Sequence, residues 1–331
     1  MGQLKFIDFC AGIGGGRVGL EKGMNAKCIG FSEIMSASEK TYRLLNNSYD
    51  EENYGDLTKI NPKELPDFDI LIAGFPCQSF SIVGKRKGFD DDRGQIIYYL
   101  IDILKGKNIP YFMLENVKGL INHDRGNTLK TIMKLLDEAG YYTEYKLISS
   151  AKLGIPQIRE RVYFIGIRKD LIKDKNKKFA WPEDTLKLPK LSKYLCDTDE
   201  SKIFDHNGET FQRYLTTKYN KGKRDIDRIL KEDYLVVDTR QSDLREFRGV
   251  VPTLRTGRHG ILYVKDGKFR KLSGLESLLL QGFDKDKSKK VSQDKTILES
   301  KILSQAGNAM TVTVIEKISR KLLEYINENQ R

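Results

Sequence analysis

Short apolar, β-branched runs recur along the first half of the chain, and amphipathic stretches separate them. Such runs, bounded by glycine, proline or polar residues, indicate buried strands. The stretches between them indicate helices that cover a sheet. The predicted strands are residues 5–10, 26–31, 70–73, 111–114, 141–149 and 162–167, and the predicted helices are residues 17–22, 37–45, 93–104 and 128–139. This alternation predicts an α/β fold with a largely parallel sheet.

The pattern changes after Lys173, where lysine becomes frequent and long apolar runs end. The pattern of residues 179–300 predicts only short elements, for example strands at 234–237 and 261–264 and a short helix at 274–280. Residues 309–326 carry an apolar stripe of helical spacing, which predicts a helix that crosses back to pack on the first domain. We therefore predict one domain from residues 1–178 plus 301–331 and a second from residues 179–300.

Composition restricts the class of protein. With 331 residues, of which 39% are hydrophobic, the chain can bury a full core. No apolar run approaches a membrane span, and the four widely separated cysteines and three histidines suggest neither a disulfide framework nor a metal site. We expect a cytoplasmic protein. Its net charge of +12 favours a polyanionic partner.

The strand predicted at 70–73 stops at Gly74, and a Phe-Pro-Cys-Gln-Ser loop follows. Open α/β sheets bind ligands at this carboxyl edge. Pro76 fixes its own φ and restricts the residue before it, so the loop holds Cys77 in a defined position. Polar neighbours such as Gln78 and Ser81 suit a reactive thiolate. Cys77 is therefore a candidate nucleophile; the alternative is an inert buried thiol.

A glycine-rich turn, residues 11–16, follows the first strand and precedes a helix. Its spacing fits a nucleotide-binding turn, although a tight turn without a ligand has the same pattern. Glu33 lies just past the second strand, where a carboxylate can bind a ribose diol. Asp56 lies in a later loop. Single acidic residues in loops are usually solvated, so each of these two is weak evidence of a binding site on its own.

Two further polar segments occur at strand ends. Glu115, Asn116 and Val117 follow the strand at 111–114 and are expected on the same rim as Cys77. The segment Gln157-Ile-Arg-Glu-Arg161 leads into the strand at 162–167.

Six segments in this order resemble the family of DNA cytosine-5 methyltransferases over nearly the whole chain. They are Asp8-Phe-Cys-Ala-Gly-Ile-Gly-Gly, Gly74-Phe-Pro-Cys-Gln-Ser, Glu115-Asn-Val, Gln157-Ile-Arg-Glu-Arg, Arg270-Lys-Leu with Leu280-Gln-Gly-Phe, and Gln305-Ala-Gly-Asn-Ala. The resemblance implies a Rossmann-like S-adenosylmethionine-dependent domain and a smaller, irregular, mainly β target-recognition domain between Arg161 and Arg270. It also implies S-adenosyl-L-methionine as cofactor, S-adenosyl-L-homocysteine as product and no metal.

The resemblance also assigns roles. Cys77 would add to C6 of cytosine, Glu115 would act at N3 and Arg161 at O2, with Arg159 and Asn116 completing the catalytic set. The implied cofactor-binding residues are Phe9, Cys10, Ala11, Gly12, Ile13, Gly14, Gly15, Glu33, Ile34, Asp56, Leu57, Gly74, Pro76, Asn308 and Ala309. The implied DNA-binding residues are Gln78, Ser81, Arg240, Gln241, Arg245, Thr253, Arg255 and Arg258. Two positions depart from the family, because Cys10 stands where phenylalanine is usual and Ile34 where an aromatic residue is common.

The expected partner is double-stranded DNA, and the lysine-, isoleucine- and asparagine-rich composition suggests a bacterial restriction–modification enzyme with a cognate endonuclease that need not bind stably. We expect it in the cytoplasm, at the nucleoid. Three other hypotheses stay open: a tRNA methyltransferase of the same family, a nicotinamide-dependent oxidoreductase, and a nucleic-acid-binding module with a degenerate enzyme core.

Overall fold

The computed structural model describes residues 2–76, 96–174, 176–185 and 187–330. Cys77, Gln78 and Ser81, which the sequence predicts to act on the substrate, lie outside the described residues. The chain forms two compact units. Unit 1 consists of Met1–Ile148, Glu160–Glu183 and Ala309–Arg331, and unit 2 of Ser149–Arg159 and Asp184–Asn308. These divisions lie at other points than the boundaries predicted after residue 178 and before residue 301.

The described residues form strands and helices that we number in chain order. The strands are β1 (Leu4–Phe9), β2 (Ala26–Ser32), β3 (Ile70–Gly74), β4 (Tyr111–Val117), β5 (Tyr141–Ser149), β6 (Gln157–Ile158), β7 (Glu160–Arg168), β8 (Val236–Asp238), β9 (Arg245–Phe247), β10 (Val251–Pro252), β11 (Ile261–Lys265) and β12 (Lys268–Lys271). The helices are α1 (Gly15–Gly23), α2 (Ser36–Asn46), α3 (Ile96–Gly106), α4 (Asn127–Glu138), α5 (Glu209–Leu215), α6 (Ile226–Leu230), α7 (Gly274–Leu279), α8 (Lys285–Gln293), α9 (Glu299–Asn308) and α10 (Val312–Gln330).

Unit 1 is built on a sheet in the order β2-β1-β3-β4-β7-β5. Strands β2, β1, β3 and β4 are parallel, and β7 is antiparallel to β4. The central strands are apolar because helices cover both of their faces; Ile70 to Ala73 are fully buried. The parallel strands end at one edge, so the loops that follow them form a common rim.

Helix α10 packs against α1 within unit 1, as the apolar stripe predicts. A Cβ on Gly19 would lie 2.5 Å from Cβ of Ile315, and one on Gly23 would lie 1.9 Å from Oγ of Ser319. These glycines let the two helices approach closely. The helix begins at Val312, three residues later than the sequence predicts.

Unit 2 contains an antiparallel sheet in the order β12-β11-β8-β9 and a two-stranded pair, β10 with β6. Aliphatic and aromatic side chains form its core. Strand β8 begins at Val236 instead of residue 234, because Tyr234 has a left-handed φ of 62°. Helices α5, α6, α8 and α9 do not appear in the sequence prediction. Helix α8, for example, buries only Ser288 and Val291, so its periodicity is weak.

One strand of unit 1 is longer than predicted, which changes the setting of Glu115. Strand β4 continues past residue 114 to Val117, because β7 pairs with it along its whole length, from Tyr111 opposite Ile167 to Val117 opposite Arg161. Glu115 and Asn116 are thus strand residues and do not follow the strand.

Two features are absent from the described part of the chain. No described helix combines the length and apolarity required to cross a membrane. The described residues also contain no group of three or more histidine, cysteine, aspartate or glutamate side chains placed to hold a metal ion.

Candidate active site

The rim of the unit 1 sheet brings Glu115 beside the end of β3. In the strand register Glu115 lies opposite Gly74 on one side and Tyr163 on the other. Its side chain is 8% exposed, and Nε of Arg161 lies 3.1 Å from its Oε1. Its Oε2 is on the side of Gly74, 3.6 Å from the place a Cβ there would take. One oxygen is therefore held by a cation while the other faces the strand that leads to Cys77.

Asn116 fixes the chain just beyond Gly74. Its Nδ2 donates a 3.0 Å hydrogen bond to the main-chain oxygen of Phe75, and its Oδ1 accepts one from the N–H of Val117. Phe75 is buried, whereas Pro76 is exposed. The structure therefore brings together Gly74, Glu115, Asn116 and Arg161 from the predicted site, and Asn116 holds the main chain at Phe75.

The glycine turn lies against Glu33. The N–H of Gly12 donates to Oε2 of Glu33 at 2.8 Å, and the N–H of Met35 donates to Oε1 at 2.7 Å. Burial raises the pKa of this carboxyl above its ordinary value, and these hydrogen bonds oppose that shift. Gly12 has a left-handed φ of 57°, and no atom lies within 4 Å of the place its Cβ would take. The turn thus leaves open space beside the carboxylate.

Asn53, which the sequence analysis did not single out, connects the loops of Glu33 and Asp56. Its side chain exchanges two hydrogen bonds with the main chain of Glu33 and accepts one from the N–H of Gly55. Asp56 accepts from the N–H and Oγ1 of Thr58; these bonds outweigh its partial burial and lower its pKa below the ordinary value. A cavity of about 240 Å³ opens beside Asp56.

The two positions that depart from the family lie near these carboxylates in sequence but differ in exposure. Ile34 is 70% exposed. Cys10 is partly buried, has a left-handed φ of 50°, and its pKa is raised to about 12 by burial, with a smaller contribution from Glu33. At neutral pH Cys10 is therefore an uncharged thiol.

Met310 is a second residue that sequence reasoning missed. A Cβ on Gly15 would lie 2.2 Å from the oxygen of Met310, and one on Gly16 would lie 2.4 Å from its Cε. The Cγ of Met310 is also 3.5 Å from the place a Cβ of Gly74 would take. Met310 thus fills the space between the glycine turn and the end of β3. Its position after the predicted Ala309, which is buried, was the available signal.

In unit 2, the buried side chain of Arg159 links two distant segments of the chain. Its Nη1 donates to the oxygen of Gly307 at 2.9 Å, and the oxygen of Leu254 is 3.4 Å from the same atom. Gln157 donates to the oxygen of Leu280 and accepts from the N–H of Leu254. This geometry supports a positioning role for Arg159. Its predicted catalytic role stays a prediction.

Asn308 and Thr253 are held within the same unit. Oγ1 of Thr256 donates to Oδ1 of Asn308, and Oγ1 of Thr253 donates to the oxygen of Ile158. Gly307 lets α9 approach this segment, because its Cβ would lie 2.7 Å from the main chain of Thr256. The predicted cofactor contact of Asn308 is untested.

The predicted DNA-binding arginines differ in exposure. Arg240 has a side chain only 4% exposed, and it forms a bidentate ion pair with Asp238 and donates to the oxygen of Thr253. Arg255 and Arg258 are exposed, and Arg245 is exposed beside Asp243. Gln241, partly buried, accepts a hydrogen bond from Tyr214 through its main chain. The exposed arginines remain available to a partner, whereas Arg240 is already fully engaged.

Comparison with known proteins identifies relatives along the whole chain. The model of the C-5 cytosine-specific DNA methylase family matches residues 4–324. The Type II methyltransferase M1.ScrFI of Lactococcus lactis subsp. cremoris is 32% identical over 99% of this chain and 80% of its own length. The Type II methyltransferase M.BsuFI of Bacillus subtilis is 36% identical over 97% of this chain and 73% of its own. Orphan methyltransferases of Bacillus phages rho11s and SPR are 45% identical over 53% of this chain, which spans only 35% and 40% of their lengths.

Solved structures confirm the predicted fold class. The Dnmt2 methyltransferase of S. pombe superimposes with a TM-score of 0.72 at 18% identity, covering 98% of this chain and 99% of its own. A Spodoptera frugiperda DNMT2 variant gives a TM-score of 0.69 at 20% identity with the same coverage. The family resemblance predicted from the sequence is also confirmed. Because the family match spans nearly the whole chain and the Lactococcus lactis relative aligns along 99% of it, this protein belongs to the family of C-5 cytosine-specific DNA methylases.

Proposed function

We propose that this protein transfers a methyl group from S-adenosylmethionine to C5 of a flipped-out cytosine in a short duplex DNA sequence, through a covalent bond between Cys77 and C6. The observation that supports this most directly is the position of Glu115. Its carboxylate is held by Arg161 and lies beside Gly74, three residues before Cys77. The placement supports a catalytic pair at the point where the nucleophile loop begins.

The residues on the rim fit S-adenosylmethionine. The Glu33 carboxylate accepts main-chain hydrogen bonds from Gly12 and Met35, and an ionised carboxylate offers about four acceptor sites, which leaves capacity for a ribose diol. Asp56 is partly exposed and can accept from the adenine amino group. The open space beside Gly12 permits close approach to the main chain. When bound, the cofactor supplies an electrophilic methyl group.

The chain's own residues would activate the ring. C5 of cytosine is a weak nucleophile, so the Cys77 thiolate adds to C6, and the displaced electron pair moves toward N3. Glu115 stabilises the charge by hydrogen bonding or proton donation at N3, and Arg161 donates to O2. After methyl transfer, loss of the C5 proton to solvent and cleavage of the sulfur–carbon bond restore the aromatic ring and the thiolate.

A duplex substrate needs binding energy beyond the reacting base. Extrusion of the cytosine costs a few kcal/mol. The net charge of +12 reflects an excess of lysine and arginine side chains, whose contacts with phosphate groups would offset this cost. DNA binding should therefore weaken as salt concentration rises. We further propose that residues 1–178 with 301–331 carry out catalysis and that residues 179–300 recognise the target sequence.

The relatives suggest a setting in the cell. Several are named Type II methyltransferases, a class that works with restriction endonucleases. We infer that this protein protects bacterial DNA against an endonuclease that acts on the same site without stable binding. We infer a location at the nucleoid in the cytoplasm.

A covalent-trapping experiment tests the proposal. Wild-type protein is incubated with S-adenosylmethionine and duplex DNA or tRNA that carries 5-fluorocytosine, since the fluorine blocks release of the enzyme. We expect an adduct with DNA that maps to Cys77, no adduct with Cys77→Ser, and a normal adduct with the control variant Cys196→Ser, whose cysteine lies in unit 2. An active Cys77→Ser variant would exclude the mechanism, and trapping on tRNA alone would reassign the substrate.

A further inference from the structure

Arg43, near the end of α2, holds the loop of residues 47–55 that follows this helix. One nitrogen of its guanidinium, Nη1, donates toward three main-chain oxygens of the loop. The distances are 2.6 Å to the oxygen of Ser48 and 3.0 Å to those of Tyr49 and Glu51. The side chain is only 19% exposed. A single side chain therefore fixes the main chain of this loop.

Two further contacts orient the guanidinium. Its Nε and Nη2 both donate to Oε1 of Glu39, one turn earlier on α2, at 2.9 and 2.8 Å. Its Cζ lies 5.1 Å from the centre of the Phe31 ring, which is fully buried in β2. An ion pair along the helix and a cation–π contact thus determine the direction in which Nη1 points. Arg43 contacts both β2 and the loop.

The same strand and loop meet again beside the carboxylate that is proposed to bind the cofactor. The main chain of Phe31 forms hydrogen bonds with the residues on either side of Asn53. The side chain of Asn53 exchanges two hydrogen bonds with the main chain of Glu33, at 3.1 and 3.0 Å. The position of Glu33 therefore depends on the loop, and the position of the loop depends on Arg43.

A second arginine supports the loop in a different way. Arg17 of α1 forms a bidentate ion pair with the carboxylate of Glu51. This contact holds a side chain, whose rotatable bonds transmit little constraint to the main chain. Arg43 binds main-chain oxygens directly. It is therefore the arginine whose loss should move the loop.

We propose that Arg43 is a positioning residue for cofactor recognition, which fixes the 47–55 loop and thereby sets, through Asn53, where the Glu33 carboxylate meets the ribose diol. Hydrogen bonds weaken steeply when distance and angle depart from their optimum, so a small displacement of Glu33 is enough to weaken its grip. The inference rests on the proposed function, because it takes Glu33 as the ribose ligand. Arg43 lies outside the six segments that resemble the family.

The test is calorimetry of the full-length protein with two ligands, S-adenosylhomocysteine and its dideoxy analogue, which lacks both ribose hydroxyl groups. Hydrogen bonds to a charged group contribute on the order of 10- to 100-fold in affinity, so wild type should prefer the first ligand by a factor of that order. Arg43→Met removes the guanidinium and keeps an apolar side chain over Phe31. We expect it to reduce this preference by about threefold or more, with the affinity for the analogue unchanged.

Arg168→Met is the matched control. Arg168 also donates to a main-chain oxygen, that of Asn108, and pairs with Asp170. It lies at the end of β7 next to the first residue of β4, and therefore at the opposite edge of the unit 1 sheet from the rim. Its preference for the diol should stay at the wild-type value. Melting temperatures show how much stability each variant has lost.

Asn53→Asp tests the same link without a change in α2. Aspartate keeps the acceptor oxygen but cannot donate to the oxygen of Glu33. This variant should also lose preference for the diol, and adding Arg43→Met to it should cause no further loss, because both residues act through the same contact. Additive losses in the double variant would show that Arg43 acts by another route.

The remaining outcomes separate this inference from the proposed function. Equal weakening of both ligands in Arg43→Met, a preference that stays at the wild-type value, or a wild-type protein without preference for the diol would overturn the positioning role. Methylation by the same protein would leave the proposed function standing. If neither DNA nor tRNA is methylated while Arg43→Met alone lowers the preference, the proposed function is wrong and the positioning role stands.

Discussion

Asn116 donates a hydrogen bond from its side chain to the main-chain oxygen of Phe75, 41 residues earlier in the sequence and 3.0 Å away. The bond joins two neighbouring strand ends of the unit 1 rim. Phe75 is two residues before Cys77 in the sequence, so this contact holds the main chain close to the predicted nucleophile.

We expect Asn116→Asp to impair methylation more than binding. Aspartate has nearly the same shape but cannot donate this hydrogen bond to the oxygen of Phe75, and loss of one such bond costs about 0.5–1.5 kcal/mol. A loosened nucleophile should reduce kcat on the order of 10- to 100-fold. Rapid-quench methylation assays and cofactor titration provide the measurements. The control is Asn122→Asp, at an exposed asparagine, and a full rate in Asn116→Asp would contradict the role.

Arg240 and Arg245 should behave differently when replaced. Burial favours a raised pKa for Asp238, yet hydrogen bonds from Arg240 outweigh it and hold this pKa below its ordinary value. Removing one partner of such a buried pair typically costs about 3–5 kcal/mol. Arg240→Ala should therefore lower the melting temperature. Arg245→Ala, at an exposed position, should leave stability unchanged and, if the residue contacts a base, lose about 1–3 kcal/mol of binding at one position of the target.

Duplex libraries randomised at the target site would measure the second effect. A uniform loss of affinity for all sequences would identify Arg245 as a phosphate contact. A stable Arg240→Ala variant with relaxed sequence preference would show that the ion pair opens on DNA.

Gly19→Ala should destabilise the protein, although the same change in an open helix position is favourable by about 1 kcal/mol. The new methyl group would lie 2.5 Å from Cβ of Ile315 and 2.7 Å from the oxygen of Val312, and neither atom is at the end of a flexible side chain. Overpacking of this kind costs about 1–3 kcal/mol. Urea denaturation measures the change. Gly2→Ala, which meets no atom within 4 Å, should be neutral, and equal effects of the two changes would contradict this packing.

Thiol labelling should separate the cysteines. Burial raises the pKa of both Cys10 and Cys28 to about 12, so at pH 8 the thiolate fraction of each is on the order of 10⁻⁴. In native protein iodoacetamide should modify Cys77 well before either of them, as peptide mass spectrometry can show. Rapid labelling of Cys10 would contradict its burial.

The same two thiols imply a pH dependence of stability. In the unfolded chain they ionise near their ordinary pKa of 9.0, below their pKa in the folded protein. The unfolded state therefore binds fewer protons above that pH, and stability falls as pH rises from about 9 toward 12. The double variant Cys10→Ala, Cys28→Ala should show a smaller decline.

Much of unit 1 was predictable because its strands are continuous apolar runs and its turn is rich in glycine. The ends of elements were less predictable. Strand β4 extends to Val117 because β7 lies beside it, and no local property of residues 115–117 reports that neighbour. The position of Glu33 followed from its place just past the second strand, whereas Asp56 was a loop acid like many others and Asn53, which connects their loops, is an ordinary loop asparagine in the sequence.

The motif residues show a second limit. Arg159 and Arg161 are two residues apart, and yet the first is buried in unit 2 by main-chain oxygens and the second faces Glu115 in unit 1. Arg240 is of a residue type that often contacts DNA, but its side chain is paired with the carboxylate of Asp238, two residues earlier. A motif gives the residue type, and long-range contacts decide whether the side chain is free to act.

The packing of α1 on α10 has a consequence for the order of events during synthesis. Unit 1 receives its last helix from residues 312–330, which the ribosome makes after every residue of unit 2. The face of α1 that packs on α10 therefore lacks its partner while about 290 residues are added at roughly 5–20 residues per second. Unit 2 can complete its own core during that interval. Synthesis of unit 2, which lies between segments of unit 1 in the sequence, thus ends before synthesis of unit 1. Chaperones that bind apolar surfaces have many seconds to act on α1.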